Sequence, residues 1–199
     1  AAACDADGTR NIPEHGFVAA MNARLSDDVA IRGAEIVRAG YDPRHDAIGK
    51  RYRYLVHVGR PRDPLLHGRA WHLDGASIAT EAMRDAALPL VGTHDFAAFR
   101  AADDERPSST RTLTRIEIRE GALDREDILA LEFEGQAFMK HMVRILVGTL
   151  VEVGMGRRTA SSVAALLSGG RREDAGRTAP AHGLYLVHVE LGRAARPGG

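Results

Sequence analysis

Between Arg51 and Val58 apolar and polar side chains alternate. Tyr52, Tyr54, Val56 and Val58 fall on one face, and Arg51, Arg53, Leu55 and His57 on the other. A period of two predicts a half-buried strand. Similar runs predict strands over 29–38, 71–73, 112–120, 128–134 and 183–191. Helical periodicity predicts a helix over 13–24, with Pro13 in its first turn and Phe17, Met21 and Leu25 on one face. A second helix is expected over 77–91, with Ser77 as N-cap and Ile78, Met83 and Ala87 inward. The longest apolar segment, 138–153, predicts a mostly buried helix interrupted by Lys140, His141 and Arg144, and 159–168 predicts a shorter one. Residues 1–12 and the final ARPGG read as irregular tails. The charged stretch 99–110 reads as an exposed loop. Strands and helices mixed in this way predict an α+β fold, a largely antiparallel sheet with helices packed on one face.

The 27 basic and 27 acidic residues cancel. A globally basic nucleic-acid binder is not indicated, but a local patch is enough to hold phosphates. Only Lys50 and Lys140 are lysines; every other cation is arginine, the side chain suited to bidentate phosphate contacts. No apolar run approaches the roughly 18 residues of a membrane span, and the opening residues lack the apolar core of a signal peptide. The single cysteine, Cys4, excludes an internal disulfide and suggests a reducing, cytoplasmic setting. No G-x-G-x-x-G follows a strand and no Walker A sequence occurs, so no nucleotide cofactor is expected. The nine histidines include no H-x-x-x-H or H-E-x-x-H pair, so no metal is expected. Ser108-Ser109 and Ser161-Ser162 lack a nucleophile elbow.

Three constellations remain. Lys50-Arg51-Tyr52-Arg53-Tyr54 alternates cations and rings on a strand, which can stack an unpaired base and hold phosphates. It also fits a strand with tyrosines in the core and arginines in water. Phe138 to Arg144 places Lys140 and Arg144 four apart on an apolar helix, with His141 beside them. A buried Arg144 needs an anion, either a carboxylate of a site, an RNA phosphate or a structural ion-pair partner. His94-Asp95-Phe96-Ala97-Ala98-Phe99-Arg100, followed by Arg106 and Arg111, is either a loop against RNA or a hydrophobically anchored loop.

Taken in order, six blocks resemble the TruA family of tRNA pseudouridine synthases: MNARLSDDVAI, YDPRHDAIGKRYRYLV, LVGTHDFAAFR, STRTLTRIEI, FEGQAFMKHMVRILVGTLVEVGMG and AHGLYLVHVEL. The resemblance runs from about Asn22 to Leu191. It implies a pseudouridine-synthase-like fold and a cofactor-free isomerisation of uridine to pseudouridine. The implied substrate is the anticodon stem-loop of tRNA, at nucleotides 38, 39 and 40, bound by a homodimer. It implies that Tyr52 stacks on the target base and that Arg144 pairs with the nucleophilic aspartate. Lys50, Arg51, Arg53, His45, Arg100, Arg111, Lys140 and His141 become candidate RNA contacts.

The family's G-R-T-D-A-G-V-H-A segment, which carries that aspartate, does not occur, and Asp5 and Asp7 do not replace it. The expectation is a chain whose N-terminal part is missing. Residues 1–40 would close the N-terminal subdomain and 41–199 would form the C-terminal one. Such a chain should be inactive alone and prone to aggregate. A non-catalytic RNA-binding module, or an unrelated α+β protein with structural Tyr52 and Arg144, are the competing readings.

Overall fold

Strand β1 covers Ala47–His57 and is the hub of the sheet. The computed structural model describes residues 13–37 and 40–192. The described residues divide into two compact units, one of residues 47–191 and one of the residues before 47 with Gly192. The tails expected over 1–12 and 195–199 lie outside the described residues, as do Cys4, Asp5 and Asp7.

In the 47–191 unit the other strands are β2 (Trp71–His72), β3 (Gly92–Asp95), β4 (Thr110–Arg119), β5 (Ile128–Gly135) and β6 (Leu184–Leu191). The order β2-β1-β5-β4-β3 is antiparallel except for the β1–β2 pair, and β6 also pairs with β1. One edge of β1 is therefore shared. β6 occupies it from Ala47 to Tyr54 and β2 takes over at Val56 and His57.

The strand alternation holds. Tyr54 and Val56 are fully buried on the inner face, in one cluster with Leu131 and Phe133 of β5 and Leu113 and Ile118 of β4. Helices α2 (Thr80–Ala87), α3 (Met142–Gly154) and α4 (Ala160–Ala165) complete the unit. Met142, Ile145, Leu146, Val147 and Leu150 of α3 have no exposed surface and join that cluster. Each such side chain contributes roughly 1.5–3 kcal/mol. Thr159 caps α4 by accepting from the backbone N–H of Ser162.

The outer face carries an ionic ladder. Arg51 lies across from Glu134, and Glu134 across from Arg115; Arg53 lies across from Glu132. Glu132, almost fully buried, accepts from both Arg53 (2.8 Å) and Arg119 (2.7 Å). Burial alone would raise its carboxyl, but these two arginines hold it below the usual range. Beyond the ladder, Arg125 binds Asp127 through two nitrogens, at 3.0 and 2.8 Å, and also binds Asp63. His57 meets Asp127 at 2.9 Å. The Arg125 hydrogen bonds, with help from His57, bring Asp127 down to about 2 against an ordinary 3.8. A depressed folded-state value adds stability that is complete above the unfolded value and is lost as pH falls through the folded one. The thermal midpoint should therefore drop between about pH 4 and pH 2. Asp127→Asn should flatten that slope in circular-dichroism melts, and an unchanged slope would contradict the assignment.

Several expectations need correction. No strand forms over 29–37, and Arg38 lies outside the described residues. The Asn22 carboxamide takes both backbone groups of Ile31, accepting from its N–H (2.7 Å) and donating to its carbonyl (2.8 Å). Those groups are then closed to a ladder. The first helix, α1, is Glu14–Asn22 with Pro13 as N-cap residue, and Phe17 is 45% exposed. α2 starts at Thr80 and Ser77 does not cap it; residues 88–90 continue as a 3-10 turn. The long helix begins at Met142 and not at Phe138, because the Lys140 N–H is taken by Asp104 (2.9 Å) and His141 is left-handed at φ 59°. The 99–110 stretch is not exposed throughout, since Asp104 and Ala101 are buried.

Candidate functional site

Tyr52 stands on the inner face of β1, half-buried, with its ring edge-on to Phe138 at 5.1 Å. Burial holds its phenol above the usual value, so it stays protonated at neutral pH. Phe133 and Leu186 are its cross-strand neighbours. Phe133 is buried, while Leu186 is 52% exposed, so the ring's surroundings open toward β6.

Arg144 projects from the first turn of α3. It is clasped by residue 179 in both directions. Its Nε donates to the Ala179 carbonyl at 2.6 Å, and the Ala179 N–H donates to its own carbonyl at 3.1 Å. Among the described residues Arg144 enters no ion pair, although it is half-buried beside an apolar core. Its charge is felt at Tyr54. Burial drives the Tyr54 phenol far up, and Arg144 and Arg177 pull it part of the way back. Tyr54 is two residues from Tyr52 on the same face, so Tyr52 and Arg144 lie on one side of the sheet.

The loop after β3 supplies cations to this side. Arg106 donates through Nη1 to the Phe138 carbonyl (2.8 Å) and through Nε to Asp104 (3.0 Å). Arg100 donates to the Arg106 carbonyl at 3.0 Å. Arg111 has a buried Nε without a partner among the described residues. Burial lowers its guanidinium, the charges of Arg106 and Arg100 lower it further, and Asp104 offsets part of this. An anion placed among these three would relieve that repulsion. Lys140 pairs with Asp103 at 2.6 Å, and His141 also acts on Asp103.

Of the residues singled out from sequence, Tyr52, Arg100, Arg111, Lys140 and Arg144 gather around the 138–144 segment, with His141 at its turn. Lys50 falls on the Tyr52 side by alternation. Arg51 and Arg53 do not join them. They lie on the outer face, paired with Glu134 (3.7 Å) and Glu132 (2.7 Å). His45 belongs to the other unit, where it is exposed and 3.5 Å from Asp42. Sequence spacing gives Phe138 no role of its own and does not mark Arg177. Phe138 contacts Tyr52, and Arg177 sits 4.5 Å over the Trp71 ring. Arg106 trails the aromatic loop in the sequence, and its bond to the Phe138 carbonyl joins that loop to the neighbour of Tyr52. None of these contacts has a signature in local spacing.

A family profile described as tRNA pseudouridine synthase matches residues 86–191. The chain is similar to tRNA pseudouridine synthase A of Myxococcus xanthus, 45% identical over 183 residues, covering 92% of this chain and 68% of the relative. The protein of the same name from Acetivibrio thermocellus is 41% identical over 179 residues, covering 89% and 71%. That from Bacillus subtilis is 39% identical over 183 residues, covering 92% and 72%. Among the described residues no helix is long and apolar enough to cross a membrane.

Proposed function

From the premise that this chain belongs to the tRNA pseudouridine synthase A family, we propose that its 47–191 unit holds a uridine of the tRNA anticodon stem-loop against Tyr52, with Arg144 receiving an anion beside it. The uridines are those at nucleotides 38, 39 and 40, and the working assembly is a homodimer. The observation that carries the reading is Arg144, a half-buried guanidinium clasped by Ala179 and engaged in no ion pair among the described residues, on the face that bears Tyr52. A structural ion pair would have used its charge. Here the charge is oriented and left for a ligand or for the family's aspartate.

The roles follow from chemistry. A flipped uracil needs a flat surface to replace the stack it leaves, and the Tyr52 ring offers one. Its raised phenol makes it a ring and a hydrogen-bond donor before it is a base. Arg100, Arg106 and Arg111 would take backbone phosphates, with Lys140 and His141 on the same side. Lys50 joins them by its position on β1. Arg51, Arg53 and His45 are weaker contacts under this reading, since glutamates and Asp42 already face them. Isomerisation breaks the bond from the ribose C1′ to uracil N1, turns the base, and joins C1′ to C5; the C5 proton leaves and N1 takes up one proton, so the composition is unchanged. The 199 residues contain no G-R-T-D-A-G-V-H-A segment to start it. This polypeptide alone should therefore bind the stem-loop without converting it, which is also the behaviour of an RNA-binding module.

Fluorescence anisotropy with a labelled anticodon stem-loop tests the reading. Tyr52→Ala should weaken binding about tenfold, the scale of one lost base stack. Tyr52→Phe should restore most of it. Mass spectrometry of the RNA should find no pseudouridine above a no-enzyme control. Binding that ignores Tyr52→Ala overturns the stacking role, and product above the control overturns the inactivity.

A further inference from the structure

Where β6 hands over to β2 along the edge of β1, a cavity of about 670 Å³ opens. Four of the chain's nine histidines line it, His57, His67, His72 and His182, together with Arg62 and Trp71. The reading of Tyr52 and Arg144 uses none of these residues. His57, 1% exposed, stacks on His72 with centroids 4.9 Å apart and planes 25° apart. Both rings are fixed through Nε2, His57 on the Asp127 carboxylate at 2.9 Å and His72 on the Gly59 carbonyl at 3.0 Å. A carbonyl and an ionised carboxylate only accept, so each Nε2 carries the proton. The stacked imidazoles and the Trp71 indole give the cavity flat aromatic lining. Planar lining of this kind suits the face of a nucleobase.

The rim has the opposite chemistry. Arg62 is exposed and, among the described residues, its side chain has no ion pair or hydrogen bond; the same holds for the side chains of His67 and His182. The carboxylate at the rim, Asp63, is already bound by Arg125 and by the Leu65 N–H. An anion at Arg62 would therefore meet little opposing charge. The wall is shaped by real contacts, since Tyr185 holds the loop by donating to the Arg69 carbonyl at 2.6 Å. We infer that this cavity is a second nucleotide site. It takes the base of a nucleoside phosphate against the His57–His72 pair and Trp71, and its phosphate at Arg62 with His67 or His182. The volume accommodates one nucleotide. The nucleotide is either a free mononucleotide or a residue of a bound RNA.

Trp71 is the only tryptophan, so its fluorescence reports on this cavity. Adenosine monophosphate and a short oligoribonucleotide are titrated separately into the full chain, with inorganic phosphate and adenosine as comparisons. Saturable quenching by either nucleotide ligand is expected, with a dissociation constant on the order of 100 μM for the mononucleotide. Arg62→Ala and His67→Ala, both at exposed positions and safe for folding, should weaken it about fivefold, whereas Arg171→Ala, exposed and outside the cavity lining, should leave the Trp71 signal unchanged. Quenching by the oligoribonucleotide alone assigns the site to RNA, and quenching by both assigns it to nucleotides in general. The inference is overturned if neither quenches, if inorganic phosphate quenches as well as the mononucleotide, or if Arg62→Ala and His67→Ala both leave the response unchanged.

Discussion

Arg144→Ala is expected to lower affinity for the anticodon stem-loop about tenfold and to cost only about 1 kcal/mol of stability. The small stability cost follows from its bonds. The side chain makes one hydrogen bond, Nε to the Ala179 carbonyl, and no ion pair among the described residues. The larger binding effect follows from its charge, which is oriented before a ligand arrives, so little rotamer entropy is left to lose on contact. If the bound anion is a phosphate, the slope of log affinity against log salt should also fall by about one. Arg144→Lys should recover part of the affinity but not the fork geometry. A stability loss of about 3–5 kcal/mol with unchanged RNA binding would mark a structural cation and would sink the reading.

Gly148→Ala should destabilise the chain by about 2–3 kcal/mol, although alanine is the better helix former by about 1 kcal/mol. Gly148 faces the strap of residues 175–180. A Cβ there would sit 1.8 Å from the Arg177 carbonyl oxygen and 2.9 Å from its carbon. The obstacle is backbone, which cannot rotate away as a side chain can. Thr149 ties the same strap to α3 by accepting from the Gly176 N–H at 2.9 Å while donating to Ile145. Pushing the strap off the helix also moves Ala179, and with it the clasp on Arg144. RNA affinity should therefore fall together with the urea midpoint. A stabilised Gly148→Ala protein would show that the strap does not press on the helix.

The sheet was legible in the sequence because its residues alternate. Tyr52 and Tyr54 inward and Arg51 and Arg53 outward follow from a period of two, and β1 obeys it. The same alternation already separates Arg51 and Arg53 from Tyr52. Their partners were not legible: Glu132 lies 79 residues from Arg53, and only strand register brings the two together. The segment 29–38 looked like a strand because its composition suits one, but a single side chain, Asn22, captured the backbone of Ile31. The start of α3 was misplaced for a similar reason. Asp104, in a stretch that reads as solvent-exposed, holds the Lys140 N–H and sets the turn. Arg144 stood out as a cation in an apolar run. Its clasp by Ala179, and the bond from Arg106 to Phe138, belong to tertiary structure alone.

The shared edge of β1 has a consequence for how the chain is made. Tyr52 and Tyr54 are translated early, yet the strand that flanks them on that edge, β6, leaves the ribosome roughly 130 residues later. Until then the tyrosine strand has an open flank, and the Tyr52 ring has no finished wall. A nascent polypeptide stalled before Leu184 should remain protease-sensitive across 47–57, and release of the following eight residues should close it in one step.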